Sequence, residues 1–136
     1  MSIITFPYKE RENKILGRIL RPLISLEVFS QTAKEWEIID DVVVDTGADI
    51  ITLPRFLAEA LVEDITTGEY VEIRGIAPGT TLVAFLHNLK MRINDKEFIT
   101  KVAIADTNDV PPLLGRFQAL DLFEACFNGR ELKLKS

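Results

Sequence analysis

The sequence repeats one order of predicted elements, in which strand, turn, strand, loop and helix follow one another twice. In the first half, the two strands and the helix are predicted at residues 21–29, 37–44 and about 53–62. In the second half, they are predicted at residues 87–93, 98–104 and 119–126. Alternating apolar and polar residues predict the strands, and apolar residues every three or four positions predict the helices. A chain of 136 residues has room for one core. The sequence therefore predicts a single, mainly β domain.

An aspartate stands at the end of the second predicted strand. The apolar run Val42-Val43-Val44 leads directly into Asp45-Thr46-Gly47-Ala48. A carboxylate that leaves a buried strand onto a tight Thr-Gly loop is held at a partly desolvated position, where a partner carboxylate can share its charge. At the matching place in the second half stands Pro111-Pro112-Leu113-Leu114-Gly115-Arg116. The two motifs make the loop at Asp45 the candidate reactive site.

These two motifs, in this order, resemble those of retroviral-type aspartic proteases (retropepsins) and their cellular relatives. The resemblance covers residues 15–136, which we expect to form one protease domain. It implies the retropepsin-like acid protease fold, a closed, barrel-like β subunit with a flap hairpin and one or two short helices. Residues 1–14 have no clear counterpart, and we expect them to be a dimer-interface strand or a tail. The implied activity is that of an aspartic endopeptidase.

The chemistry of this class needs two aspartates, one ionised and one protonated, on either side of a reacting water. The chain carries one Asp-Thr-Gly, and its second half has Leu114-Gly115 where a pepsin-like enzyme has its other aspartate. The resemblance therefore implies a homodimer in which each subunit supplies Asp45. It further implies that Thr46 bonds to its mate across the dimer axis and that Gly47 lets the substrate backbone approach closely.

A peptide or protein substrate is implied by the same resemblance. Between the two halves, two β-prone runs around a Gly-rich turn predict a hairpin at residues 70–83, the place of the flap. The residues implied to bind substrate are Ala48, Asp49, Ile50, Gly75, Ile76, Ala77, Val110, Pro111 and Leu113. Asp49 and Arg116 are expected to form an ion pair, with Gly115 as further structural support. Hydrophobic substrate residues are expected beside the cleaved bond.

Composition excludes several other classes of function. A net charge of −5 with both signs interspersed argues against a nucleic-acid surface. The sequence lacks an apolar run of membrane-spanning length and the order of a signal peptide, so we expect a cytoplasmic protein without a membrane partner. One cysteine rules out an internal disulfide, and one histidine rules out a metal site built from several histidines, within one chain. We expect no cofactor and no metal, and a packing role for Cys126 on a helix.

Two alternatives remain open at the level of sequence. Ala77 and Pro78 stand where viral flaps carry more glycine, which allows a catalytically weak or inactive retropepsin-fold module for dimerisation or peptide binding. The second alternative is an unrelated small β-barrel in which Asp-Thr-Gly occurs by accident. That alternative gives no reason for the internal repeat.

Overall fold

Strands dominate the chain, as the sequence predicts. The computed structural model describes residues 2–75 and 77–136, which form twelve strands and little helix. The strands are β1 (Ile3–Pro7), β2 (Lys9–Asn13), β3 (Gly17–Arg21), β4 (Leu23–Phe29), β5 (Trp36–Val44), β6 (Ile51–Leu53), β7 (Glu69–Arg74), β8 (Thr81–Ile93), β9 (Lys96–Ala105), β10 (Leu113–Leu114), β11 (Glu124–Phe127) and β12 (Glu131–Lys135). The helical elements are α1 (Arg55–Ala58) and the 3₁₀ turns Ile65–Thr67 and Leu120–Leu122.

Six of these strands close into a barrel. They pair in the order β4, β5, β10, β6, β9 and β8, and β8 then pairs with β4. Strand β7 pairs with β8 and forms with it the predicted hairpin beside the barrel. The interior is apolar, and its fully buried side chains include Ile24, Leu26, Ile51, Leu89, Met91, Ile104 and Leu114. The prediction of a mainly β, closed barrel is confirmed.

The short strand β10 is inserted between β5 and β6. It runs parallel to β5, with Leu113 and Leu114 opposite Val43 and Val44, and antiparallel to β6. Parallel strands end at the same edge of a sheet. The residues that follow β5 and β10 therefore emerge side by side, which brings the two sequence motifs together.

The two ends of the chain pair with each other. Strand β1 is antiparallel to β12, and β12 also pairs with β11, giving a separate three-stranded sheet. Strands β2 and β3 form a hairpin that is tied to the barrel, because Lys9 and Arg11 pair with Asp41 at 2.5 and 3.1 Å. Residues 2–14 thus contribute β1 and β2.

The prediction of a helix at residues 119–126 is wrong. Gln118 has a φ of +48°, and Ala119 also lies outside the helical region, so only a 3₁₀ turn forms before Phe123 becomes extended. Residues 124–127 are strand β11, in which Cys126 is exposed, so the expected packing role for Cys126 is also wrong. Asn128-Gly129, a hairpin signal between two β-prone runs, is the feature that could have indicated β11 and β12.

The first predicted helix is present but shorter than expected. Helix α1 starts after Pro54 and ends at Ala58, whose carbonyl oxygen accepts from the N–H groups of both Leu61 and Val62 in a following turn. No helix in the described part of the chain has the length and apolar character needed to cross a membrane.

A bidentate ion pair lies between β4 and β8, the two strands whose pairing closes the barrel. Glu27 and Arg92 face each other across β4 and β8, and Arg92 donates from Nε and Nη2 to the two carboxylate oxygens at 2.9 Å. The guanidinium carbon lies 4.1 Å from the centre of the Trp36 ring. The hydrogen bond from Arg92 lowers the pKa of Glu27, although partial burial opposes this effect. The charged form of Glu27 therefore stabilises the closed barrel.

Glu27→Gln should lower the melting temperature by about 2–4 °C at pH 7, because a partly buried bidentate pair is lost. Since the folded-state pKa is lowered, the difference from the wild type should be full above pH 4.5 and disappear as the pH falls through the lowered value. Thermal unfolding followed by circular dichroism from about pH 7 to pH 3 measures this. Glu97→Gln is the control, since Glu97 lies 3.7 Å from Arg92 in a looser contact. An equal effect of the two variants would contradict the assignment.

Candidate active site

Asp45 is the first residue after β5, and backbone hydrogen bonds orient it. Its N–H donates to the carbonyl oxygen of Leu114 at 3.1 Å, which ties it to the end of β10. The N–H of Gly47 donates to Asp45 Oδ1 at 2.9 Å, and the N–H of Ala48 donates to the Asp45 carbonyl oxygen at 3.2 Å. Asp45 is half-buried, whereas Thr46 and Gly47 are exposed. The loop thus presents a fixed carboxylate at the surface of the subunit.

The loop after Asp45 is also fastened to the segment after β10. The N–H groups of Arg116 and Phe117 donate to the carbonyl oxygens of Ala48 and Asp49 at 2.9 and 2.7 Å. Gly115 lies against the backbone of Ile50 so closely that an added Cβ would be 2.4 Å from the Ile50 carbonyl carbon and oxygen. Only glycine fits this contact.

The expected ion pair between Asp49 and Arg116 is not the one that forms. Arg116 donates from Nε to Asp121 Oδ1 at 3.1 Å. This hydrogen bond raises the pKa of Arg116, and Asp49 adds only a more distant charge attraction. The link between the loop and the Gly-Arg segment therefore runs through backbone groups, and the Arg116 side chain turns towards the 3₁₀ turn.

A cleft of about 440 Å³ opens beside the loop. The expected substrate-binding residues that line it are Ala48, Asp49, Ile50, Val110, Pro111 and Leu113, together with Gly47. Sequence reasoning missed four further lining residues, Thr52, Ile73, Arg74 and Leu82. Ile73 and Leu82 are partners across β7 and β8. The alternation within these two strands was the signal that could have identified them.

The hairpin tip closes with its own hydrogen bonds. The N–H of Gly75 donates to the carbonyl oxygen of Thr80 at 2.9 Å, and the Thr80 hydroxyl donates to that of Ala77 at 2.6 Å. Gly79 has a φ of +82°, which glycine adopts without strain. Gly75 and Ala77 line a second cleft of about 390 Å³ at this tip, which shares Arg74 with the cleft beside the Asp45 loop but none of the loop residues. Ile76, also expected to bind substrate, lies outside the described residues.

Solved structures identify the fold. A retropepsin-like aspartic protease from Rickettsia conorii is similar to this chain with a TM-score of 0.59 and 24% sequence identity, over 98% of this chain and 92% of that chain. The chain has the retropepsin-like fold. The EIAV protease complexed with an inhibitor has a TM-score of 0.49 and 22% identity, over 71% of this chain and 82% of that chain. No family model and no curated protein matches the sequence.

Within this retropepsin-like fold, the two motifs meet through backbone contacts at the base of the cleft. The hairpin of β7 and β8 forms one wall, and the loop after Asp45 forms the floor. Apolar side chains from both walls line the cleft. Asp45 is not among the lining residues, but its carboxylate accepts a hydrogen bond from the N–H of Gly47, which is one of them. An apolar cleft of this kind can accept side chains of a bound peptide.

Gly115→Ala should destabilise the fold by at least about 2 kcal/mol, because the new methyl group would press against backbone atoms that cannot turn away. Denaturant unfolding measures the loss. Gly129→Ala is the matched control, since its added methyl meets nothing within 4 Å and only the φ of +88° opposes it, at a cost of about 1 kcal/mol. Equal stability of the two variants would contradict the close contact at Ile50.

Proposed function

We propose that the protein is an aspartic endopeptidase that acts as a homodimer, with one Asp45 from each subunit. The observation that carries this proposal is the carboxylate of half-buried Asp45, which accepts from the N–H of Gly47, a residue that lines the apolar cleft. The retropepsin-like fold supports it, since the similar structure from Rickettsia conorii is described as an aspartic protease. The sequence at the loop, Asp45-Thr46-Gly47, has the residue types this chemistry requires.

The proposed reaction uses a water molecule held between the two carboxylates. The ionised carboxylate takes a proton from the water while the water oxygen attacks the peptide carbonyl carbon. The protonated carboxylate donates a hydrogen bond to the carbonyl oxygen as the tetrahedral intermediate forms. Transfer of a proton to the peptide nitrogen then lets the carbon–nitrogen bond break, leaving a carboxylic acid and an amine. The pair again shares one proton at the end of the cycle.

The need for two carboxylates is the reason for proposing a dimer. The chain has one Asp-Thr-Gly, and Leu114-Gly115 occupies the other motif position. Thr46 and Gly47 are exposed beside Asp45, so a second subunit can reach the loop. We assign Thr46 to a contact across the dimer axis and Gly47 to close passage of the substrate backbone.

The proposed substrate is an extended peptide with hydrophobic side chains near the cleaved bond. The apolar lining supports this, with Ile50, Val110 and Pro111 on one side and Ile73 and Leu82 on the hairpin side. Backbone contacts would supply affinity, and pockets for alternate side chains would supply selectivity. The lone cysteine, Cys126, has no partner for a disulfide within its chain, which supports a reducing compartment such as the cytoplasm.

Asp45→Asn should reduce cleavage of a diverse peptide library by about 10²- to 10⁴-fold, because the amide can neither take the proton from water nor share one. Mass spectrometry of the library at about pH 5 and pH 7 measures the products. Asp40→Asn is the matched control. Asp40 Oδ1 accepts a hydrogen bond from the Ser25 hydroxyl at 2.7 Å, and Asp40 does not line the cleft, so this variant should leave cleavage unchanged. Peptide binding by both Asp45 forms, with no cleavage by either, would instead support the peptide-binding module.

The rate should fall as the pH rises from mildly acidic to alkaline. A carboxylate pair that shares one proton loses its acid when both members ionise. Initial rates on one library peptide, measured across this range at saturating and low substrate, test the expectation. A rate that still climbs above about pH 8 would exclude the shared proton.

A further inference from the structure

Two charged residues line the mostly apolar cleft beside the candidate active-site loop, Asp49 on the floor and Arg74 on the hairpin wall. In the hairpin, Ile73 and Leu82 lie opposite each other, and Arg74 and Thr81 form the next pair towards the tip. Arg74 also lines the cleft at the tip itself. It therefore lies at the rim of the larger cleft, where the apolar wall ends.

Arg74 has no ionic partner within the described subunit. It is exposed and makes no ion pair with any residue that the structure describes, whereas Arg92 and Arg116 bond to Glu27 and Asp121. An arginine that is already paired could bind an outside carboxylate only by giving up its own partner. Arg74 can bind one without that loss.

The carboxylates on the elements around Arg74 are placed so that they leave it unpaired. Glu72 lies two residues earlier on the same exposed face of β7, but its Oε1 accepts from the Tyr70 hydroxyl at 2.8 Å. Asp49, on the floor of the cleft, makes no ion pair with Arg74 in the described chain. Residues 77–86, which form most of the tip and the facing part of β8, carry no titratable side chain.

The chemistry of the guanidinium group determines what this rim can bind. The group stays charged at all working pH values, and its planar fork of N–H donors matches a carboxylate with two parallel hydrogen bonds. Its long apolar stem can lie along apolar surface while the charge stays at the rim. Beside a wall that excludes water, the charge-assisted hydrogen bonds are stronger than in open solvent.

We propose that Arg74 selects peptide substrates that carry an acidic side chain, Asp or Glu, outside the hydrophobic residues that flank the cleaved bond. Ile73 and Leu82 supply apolar surface to those hydrophobic residues. Successive residues of an extended peptide are about 3.3 Å apart, so a residue farther along the peptide reaches the rim. Arg74 is a specificity-determining residue in this proposal and takes no part in bond cleavage. The inference rests on the proposed endopeptidase and names a class of its substrates.

A paired scan of one cleaved library peptide tests the proposal, with glutamate and then glutamine placed at each position in turn. At an outer position, the wild type should cleave the glutamate peptide with a kcat/KM about 5- to 20-fold above that of the glutamine peptide, as expected for a partly exposed charge-assisted contact. Arg74→Gln should bring this ratio to about one, and Arg74→Glu should instead favour lysine at the same position. Arg18→Gln is the matched control, because Arg18 is exposed on β3, does not line the cleft and should leave the ratio unchanged.

The pH dependence of the ratio identifies the charge that is recognised. The glutamate side chain of a peptide has a pKa of about 4.3, so the ratio should be full above about pH 5.5 and approach one below about pH 3.5 as that side chain becomes neutral. Glu72 and Asp49 of the protein also titrate, but they act on both peptides and their effects cancel in the ratio. A merely structural role of Arg74 would give no such dependence on the peptide's own carboxyl group.

The outcomes separate this inference from the proposed function. Ratios near one at every position in the wild type, or a preference that survives Arg74→Gln, would overturn the role of Arg74. Equal losses for both peptides in Arg74→Gln, reproduced by Asp49→Asn, would indicate a contact between hairpin and floor and would also overturn it. If no Asp45-dependent cleavage occurs, the endopeptidase is wrong, and fluorescence anisotropy of the labelled glutamate and glutamine peptides then measures the same preference as binding. Equal affinities there would overturn the inference, and tighter binding of the glutamate peptide that Arg74→Gln abolishes would support it.

Discussion

The backbone hydrogen bonds between β10 and the end of β5 hold the candidate site together. The N–H groups of Val43 and Asp45 donate to the carbonyl oxygens of Pro112 and Leu114, one bond on each side of the point where the strands end. Gly115 then passes so close to Ile50 that no side chain could be present. Because the loop at Asp45 has no regular structure of its own, its position depends on this short strand and on the glycine that follows it.

Much of this arrangement could be predicted because its signals are local. The alternation in residues 37–44 and 87–93 indicated β5 and most of β8, since a half-buried strand must alternate along its own sequence. The two motifs indicated where each half would place its loop. Asp45 and the residues after it could be proposed as site residues for the same reason, because the residue types that the chemistry needs are adjacent in the chain.

The errors concern contacts between distant parts of the chain. Spacing at residues 119–126 fits a helix, but β12 offers hydrogen bonds to an extended β11 that no window of sequence reveals. The role of Ile73 and Leu82 is likewise invisible in the local sequence, because they line the cleft only through the position of the β7–β8 hairpin. Two carboxylates, Asp49 and Asp121, are near enough in sequence to be candidate partners for Arg116. The 3₁₀ turn Leu120–Leu122 places Asp121 within 3.1 Å of Arg116 Nε, and the sequence does not show this turn.

The proposed dimer connects the open edge of the fold with its chemistry. A bare apolar strand such as β11 favours indiscriminate association with other strands, unless a specific partner covers it. Under the proposed function, a chain with one catalytic carboxylate needs a second copy, and the exposed Thr46 beside Asp45 leaves room for that copy at the loop. Activity would then depend on this association, because a dissociated subunit would lose its second carboxylate.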